Sequence, residues 1–210
     1  MKLYYSAGSC STCCHIALEE AGLKHEVVAI DWDQTADPNL KLIEKLNPLG
    51  TLPVATLDNG KVLSQNIAIL TYIADQSPEK KLLPPPGTVE RAEAMNWLSF
   101  VASDLHKSVG GLFATQSFST DPAKQADYRT WGLVNANRTL AYLDHGLAGK
   151  DYLMGSQFTV ADAYAFIVAG WTKWLDIPLT NYPNIRSFVN RVLERPAVQK
   201  VFKLEGLFDE

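Results

Sequence analysis

No stretch of the 210 residues is both long and apolar enough to cross a bilayer, and the start, MKLYYSAGSC, holds too short an apolar run for a secretory signal. A soluble, cytoplasmic protein is therefore expected. Lys and Arg form no cluster and the net charge is −4, which argues against nucleic acid as the main partner. Cysteine is scarce. Cys10, Cys13 and Cys14 are the only three and fall within five positions, so they staple no distant parts of a fold, and their clustering points to chemistry instead. Internal repeats and low-complexity tracts are lacking too. What the chain does have is a hydrophobic content of 47%, enough for a sizeable core in one large or two small domains.

The stretch NPLGTLPVATLDNGKVLSQNIAILTYIAD, Asn47 to Asp75, organises the rest. Val54 to Leu57 is an apolar run between breakers, Asp58-Asn59-Gly60 is a turn signal joining two strands, and Ile67, Leu70, Ile73 and Ala74 recur at helical spacing. Upstream, Lys2 to Tyr5 and His25 to Ile30 read as strands. Between them runs a helix capped by Ser11 or Thr12 and closed by Gly22, and Asp37-Pro38 opens a further helix that Asn47-Pro48 ends. The order β-α-β-α-β-β-α is that of a thioredoxin-like domain, with a right-handed crossover.

Gln76 to Thr88 (QSPEKKLLPPPGT) can continue neither a helix nor a sheet. The expected architecture is α/β plus all-α: a thioredoxin-like N-terminal domain over 1–77, a linker over 78–88 and a helical-bundle C-terminal domain over 89–210. In the last part Leu98, Val101, Leu105, Val109 and Leu112 form one apolar stripe and Leu133, Ala136, Leu140, Leu143 and Leu147 another. Thr159 and Asp162 match a reciprocal cap ahead of the apolar run Ala163 to Val168.

Cys10 sits between a strand and a helix, where the helix N-terminus favours the thiolate and is expected to lower its pKa below about 8.5. Cys10-Ser-Thr-Cys13 is also a C-x-x-C pattern, which suits a dithiol oxidoreductase with Cys13 as the resolving thiol; Cys14 reads as packing. Pro53 pushes Leu52 extended, leaving its backbone free for a peptide-like ligand, and Ser64-Gln65-Asn66 stands where helix N–H groups favour a carboxylate. Taken singly, Ser64 has a plainer reading as an N-cap and Pro53 as a strand starter. Ser99, Ser103, His106 and Gly110, spaced by four, three and four, are expected to share one helix face bordering a cleft. No second histidine or carboxylate stands at ligand spacing to His106, so no metal is expected.

Together these residues resemble the glutathione-binding half of the cytosolic glutathione transferases, and the likeness runs over nearly the whole chain. Cys10 after the first strand and His106 far downstream make it most similar to the bacterial beta class. The resemblance implies a cis proline at Pro53, glutathione as co-substrate with no further cofactor, detoxifying transfer of glutathione to an apolar electrophile, and a homodimer. It implies catalytic roles for Cys10, facing the glutathione sulfur and able to form a mixed disulfide with it, and for His106 as a thiol or thiolate partner. Substrate-binding roles pass by the same resemblance to Tyr5, Ser11, Leu52, Pro53, Gln65, Asn66, Ser103 and Lys107, with Tyr5 and Ser11 as alternative hydroxyl donors.

Where the family usually places an acidic residue at the helix entrance, this chain has the neutral Gln65. Thr35 and Thr51 stand where the family often has a longer side chain. Trp32 is a candidate pocket wall, and Phe113, Tyr164, Trp171 and Trp174 are candidates for a second-substrate pocket. Competing readings are a glutathione-dependent disulfide reductase and a noncatalytic binding protein on the same fold.

Overall fold

The computed structural model describes residues 1–32 and 38–208. Four strands make one sheet: β1 (Lys2–Tyr5), β2 (Glu26–Ala29), β3 (Val54–Thr56) and β4 (Val62–Ser64), in the order β2-β1-β3-β4. β1 pairs in parallel with β2 across the helix α1 (Thr12–Ala21), and β3 runs antiparallel to both β1 and β4. The two-residue period of a strand sorts the side chains of β1 between two clusters. Leu3 and Tyr5 join the core of α1 and α3 (Asn66–Gln76), while Tyr4 joins Ile30, Val54 and Ile43 of α2 (Pro38–Leu46). Thr35 and Asp37, both named in the sequence reading, lie outside the described residues.

After α3, Pro78–Lys80 makes a single 3-10 turn and the next helix begins at Val89. The helices that follow are α4 (Val89–Phe100), α5 (His106–Gly110), α6 (Thr115–Phe118), α7 (Pro122–Gly146), α8 (Val160–Trp174), α9 (Pro183–Leu193) and α10 (Pro196–Glu205). Both expected stripes are inside, with only Leu133 half-buried. α8 is apolar nearly all round, and such a helix has to be covered on every side. It packs against α1, α3, α4, α5 and α9, so one apolar cluster runs from the sheet into the bundle. Among the described residues no helix is long and apolar enough to cross a membrane.

Asp162 starts α8. Fully buried, its carboxylate accepts the N–H and the hydroxyl of Thr159, both at 2.8 Å, and also the Leu153 N–H at 2.7 Å. The third bond ties the preceding loop to the helix start. Burial pushes this carboxyl up to about 6, against the pull of the hydrogen bonds.

Between α4 and α5 the chain makes a π turn over Val101–Leu105, and the His106 N–H reaches back to the Val101 carbonyl. A π turn closes over one residue more than an α turn, which rotates everything after it relative to everything before. The single face expected for Ser99, Ser103, His106 and Gly110 therefore does not form.

Candidate functional site

The loop from Ser6 to Ser11 joins β1 to α1 and is held by its own hydroxyls. Ser11 is fully buried, and its Oγ lies 3.0 Å from the Ser6 N–H, 3.2 Å from the Ser6 carbonyl and 2.6 Å from Ser9 Oγ. Its expected role as a donor to a ligand is thereby corrected, because the hydroxyl is committed to the loop. The Tyr5 ring is buried 5.4 Å from that of His15, burial and the nearby Glu205 carboxylate raise its pKa, and among the described residues no hydrogen bond joins it to Cys10.

Cys10 keeps part of its surface open, and its thiol donates to the Leu52 carbonyl at 3.7 Å. The Leu52–Pro53 peptide is cis, and among the described residues the Leu52 N–H has no hydrogen-bond partner. Burial pushes the Cys10 thiol up to about 11, outweighing the hydrogen bonds from Asn66 and its own backbone N–H that favour the thiolate. The expected lowering is overturned: desolvation exceeds the helix-end effect here. At neutral pH Cys10 is a thiol.

At the start of α3, Gln65 adopts φ 74° and is exposed, whereas Asn66 is buried. Asn66 Oδ1 accepts the thiols of Cys13 at 3.4 Å and Cys14 at 3.3 Å. The Asn66 oxygen is thus turned into the core, and the same side chain favours the Cys10 thiolate. The same bonds hold Cys13 fully buried, with burial driving its pKa well up, so a second thiol is not presented beside Cys10.

His106 opens α5. Its Nδ1 lies 2.6 Å from the Tyr164 hydroxyl and its ring meets Trp171 edge-on at 4.9 Å. Gly110 leaves room for this: a Cβ there would sit 3.0 Å from the His106 ring and 3.2 Å from Trp171. Burial lowers the His106 pKa, so the ring is neutral at pH 7. Tyr164 stays a phenol, its pKa driven up by burial and by the neighbouring thiols of Cys13 and Cys10. When that phenol donates to Nδ1, the ring proton sits on Nε2.

Trp171 closes the circuit, donating Nε1–H to the Gly8 carbonyl at 2.9 Å, two residues before Cys10. Sequence reasoning named Tyr164 and Trp171 only as pocket aromatics; no local pattern marks a residue whose partner is so remote in the chain. Trp171 and Trp174 do line a cavity of about 400 Å³ with Phe166, Phe202 and Leu207, and half-exposed Phe113 leans on Trp171.

Ser103 and Lys107 are not brought to His106. They line a separate depression of about 220 Å³ facing α7, where the Ser103 hydroxyl lies 2.8 Å from the Ser99 carbonyl and 2.6 Å from the Asp104 carboxylate. The π turn sets Ser103 apart from His106, whereas Lys107, the next residue, is turned about 100° from His106 on any helix. Thr51 has a structural part, its carbonyl and hydroxyl accepting from Asn47 Nδ2 at 2.8 and 3.1 Å just ahead of Leu52. Trp32 is exposed at the edge of the described residues.

Two family models match the chain: the glutathione S-transferase N-terminal domain over residues 7–76 and the glutathione S-transferase C-terminal domain over residues 108–196. Glutathione S-transferase GstA of Escherichia coli O157:H7 is 33% identical over 207 residues, spanning 99% of this chain and 100% of that protein. Among solved structures, BphK, a bacterial transferase in a ternary complex, is similar with a TM-score of 0.89 at 39% identity, covering 98% of this chain and 100% of its own. A sphingomonad glutathione S-transferase complexed with glutathione gives 0.88 at 36% identity, with 99% and 100% coverage. The beta-class glutathione S-transferase of Sphingomonas chungbukensis gives 0.87 at 37%, with the same coverage.

Proposed function

The chain belongs to the glutathione S-transferase family, and on that premise we propose that it joins glutathione to an apolar electrophile, as a cytoplasmic homodimer of the beta-class kind. The observation that carries this reading is the Cys10 thiol, part open, protonated at neutral pH and set beside the Leu52–Pro53 entrance. A thiol that keeps its proton is a poor attacking group but a good donor. Placed against the glutathione sulfur it stabilises negative charge there, so the bound thiolate is favoured over the bound thiol.

Glutathione gives up its thiol proton to solvent, and its sulfur then attacks the electrophile, forming the new bond with its own electron pair while the leaving group departs with the pair of the bond that breaks. Orientation is the rest of the protein's part. The free Leu52 N–H pairs with the peptide backbone of glutathione, the start of α3 receives a carboxylate, and the exposed Gln65 amide takes the γ-glutamyl end. His106, with a proton on Nε2, is a second donor near the sulfur, and the cavity beside Trp171 is suited to the apolar co-substrate. We also keep the division into 1–77, 78–88 and 89–210, supported by the absence of helix or strand between Lys80 and Val89.

Retention on immobilised glutathione, followed by assays with an electrophile and with a glutathione mixed disulfide, tests the reading. The protein should be retained and conjugate, and Cys10→Ala should keep part of the conjugation while losing disulfide exchange. Disulfide reduction that outpaces conjugation and stops in Cys13→Ser would favour the reductase instead. Failure of both retention and conjugation would leave a binding protein for another ligand.

A further inference from the structure

α1 carries His15 and Glu19 four residues apart, hence on one face, and the turn after the helix brings back His25. One possible ligand atom from each lies within 4.8 Å of those of the other two. The His15 and His25 rings meet edge-on at 5.9 Å, and His25 Nε2 is 3.6 Å from Glu19 Oε1.

Each of the three is already oriented through its other polar atom. His15 Nδ1 lies 2.8 Å from Glu205 Oε1, which places its proton toward a carboxylate. His25 Nδ1 lies 2.7 Å from the Leu23 carbonyl, which can only accept, so its proton is there too. Glu19 Oε2 is held by Lys200 Nζ at 2.8 Å. In the neutral form of each imidazole an Nε2 lone pair remains, beside the Oε1 of Glu19.

His15 Nε2 is the anomaly. The side chain is 1% exposed, and this is the one buried side-chain nitrogen or oxygen among the described residues with no hydrogen-bond partner. Such an atom is costly to bury and calls for an explanation. An imidazole backed on its far nitrogen by a carboxylate or a carbonyl is the arrangement that orients histidine toward a metal.

We propose that His15, Glu19 and His25 form a site for a divalent transition metal of the zinc type, two nitrogens and one oxygen from the protein with a fourth position left to water. Imidazole donors select zinc, copper or nickel over magnesium and calcium, which prefer oxygen. Bonds of about 2.0–2.1 Å require the most distant of the three atoms to close by up to about 1.5 Å. Glu19 and His25, both partly exposed, supply that movement and the path from solvent. The site does not rest on the transferase reading. It does adjoin the same loop, because Glu205 Oε2 accepts from the Gly8 N–H at 3.3 Å and the Thr12 hydroxyl at 2.8 Å.

The test is calorimetric titration of the chelator-stripped full chain with Zn²⁺ alone, paired with the visible spectrum of added Co²⁺. One saturable site per chain is expected, with the cobalt bands of four or five coordination and no thiolate-to-cobalt charge transfer. His25→Ala and Glu19→Gln should each weaken binding at least tenfold, and Cys10→Ala should leave it unchanged. Absence of saturable binding in the micromolar range would overturn the proposal. So would a thiolate charge-transfer band, which assigns the metal to the cysteines, or an affinity unmoved in His25→Ala. The wild-type spectrum decides alone should a variant fail to fold.

Discussion

The thiol of Cys10 lies at the start of a helix, whose dipole favours its anion, and beneath a cover of neighbouring groups that excludes the water the anion needs. With the cover dominant and the group pushed up to about 11, only about one thiol in a thousand is ionised at pH 8. Alkylation of Cys10 by a small neutral reagent, followed by mass spectrometry, should therefore climb about tenfold per pH unit and still be rising at pH 10. A rate that levels off below pH 8 would mean that the helix end prevails after all. Gln65 poses the converse case, an exposed amide where an ammonium group is proposed to sit. Gln65→Glu adds an opposite charge without changing the shape of the side chain, and should tighten glutathione binding at neutral pH by about two- to tenfold in calorimetry. Weaker binding would show that the γ-glutamyl end lies elsewhere.

At the scale of the element, the start of α8 shows how a local pattern gains weight from its surroundings. Thr159 and Asp162 were legible as a cap from their spacing, but the bond from Asp162 to Leu153 was not, because it depends on where the preceding loop passes. Asp162→Ala leaves two N–H groups and one hydroxyl without their acceptor in a dry site. The expected loss is about 3–4 kcal/mol, above the roughly 0.5–2 kcal/mol of an ordinary cap, read as a lowered midpoint in urea. The sign of its pH dependence follows from the raised carboxyl. A folded-state pKa of about 6 against an ordinary 3.8 means that the native state binds the proton more tightly, so the gap between wild type and Asp162→Ala should narrow as pH rises from about 4 to about 6 and stay level above. The π turn before α5 is the opposite lesson. Val101 to Leu105 carries nothing in its residues that departs from an ordinary amphipathic helix, so the extra residue per turn, and with it the separation of Ser103 from His106, had no signal to read.

Over the whole molecule, α8 joins the sheet domain to the bundle in one core, and the apolar surface left over lies outside it. Trp131 and Val134, three residues apart on α7, are each 66% exposed, and Phe118 is exposed nearby, stacked on Tyr128. A patch of this kind is what the proposed homodimer would cover. Sedimentation at micromolar concentration should give twice the chain mass, and Trp131→Glu should shift the protein toward the monomer. A wild-type monomer under those conditions would count against the dimer.

The sequence by itself determined the element order, the apolar faces, the place of the Pro53 entrance and the gathering of cysteine at the start of α1. Each of these is written in spacings of two to four residues or in the backbone limits of proline and glycine. Tertiary structure alone decided which polar atoms remain available. The oxygen of Asn66 is spent on Cys13 and Cys14, Ser11 on its own loop, His106 is backed by Tyr164, and His15 is tied to Glu205 across 190 residues. Hydrogen-bond satisfaction and burial belong to pairs of groups that meet only when the chain closes on itself, and for that reason the proton on Cys10 and the lone pair on His15 appear only in the folded molecule.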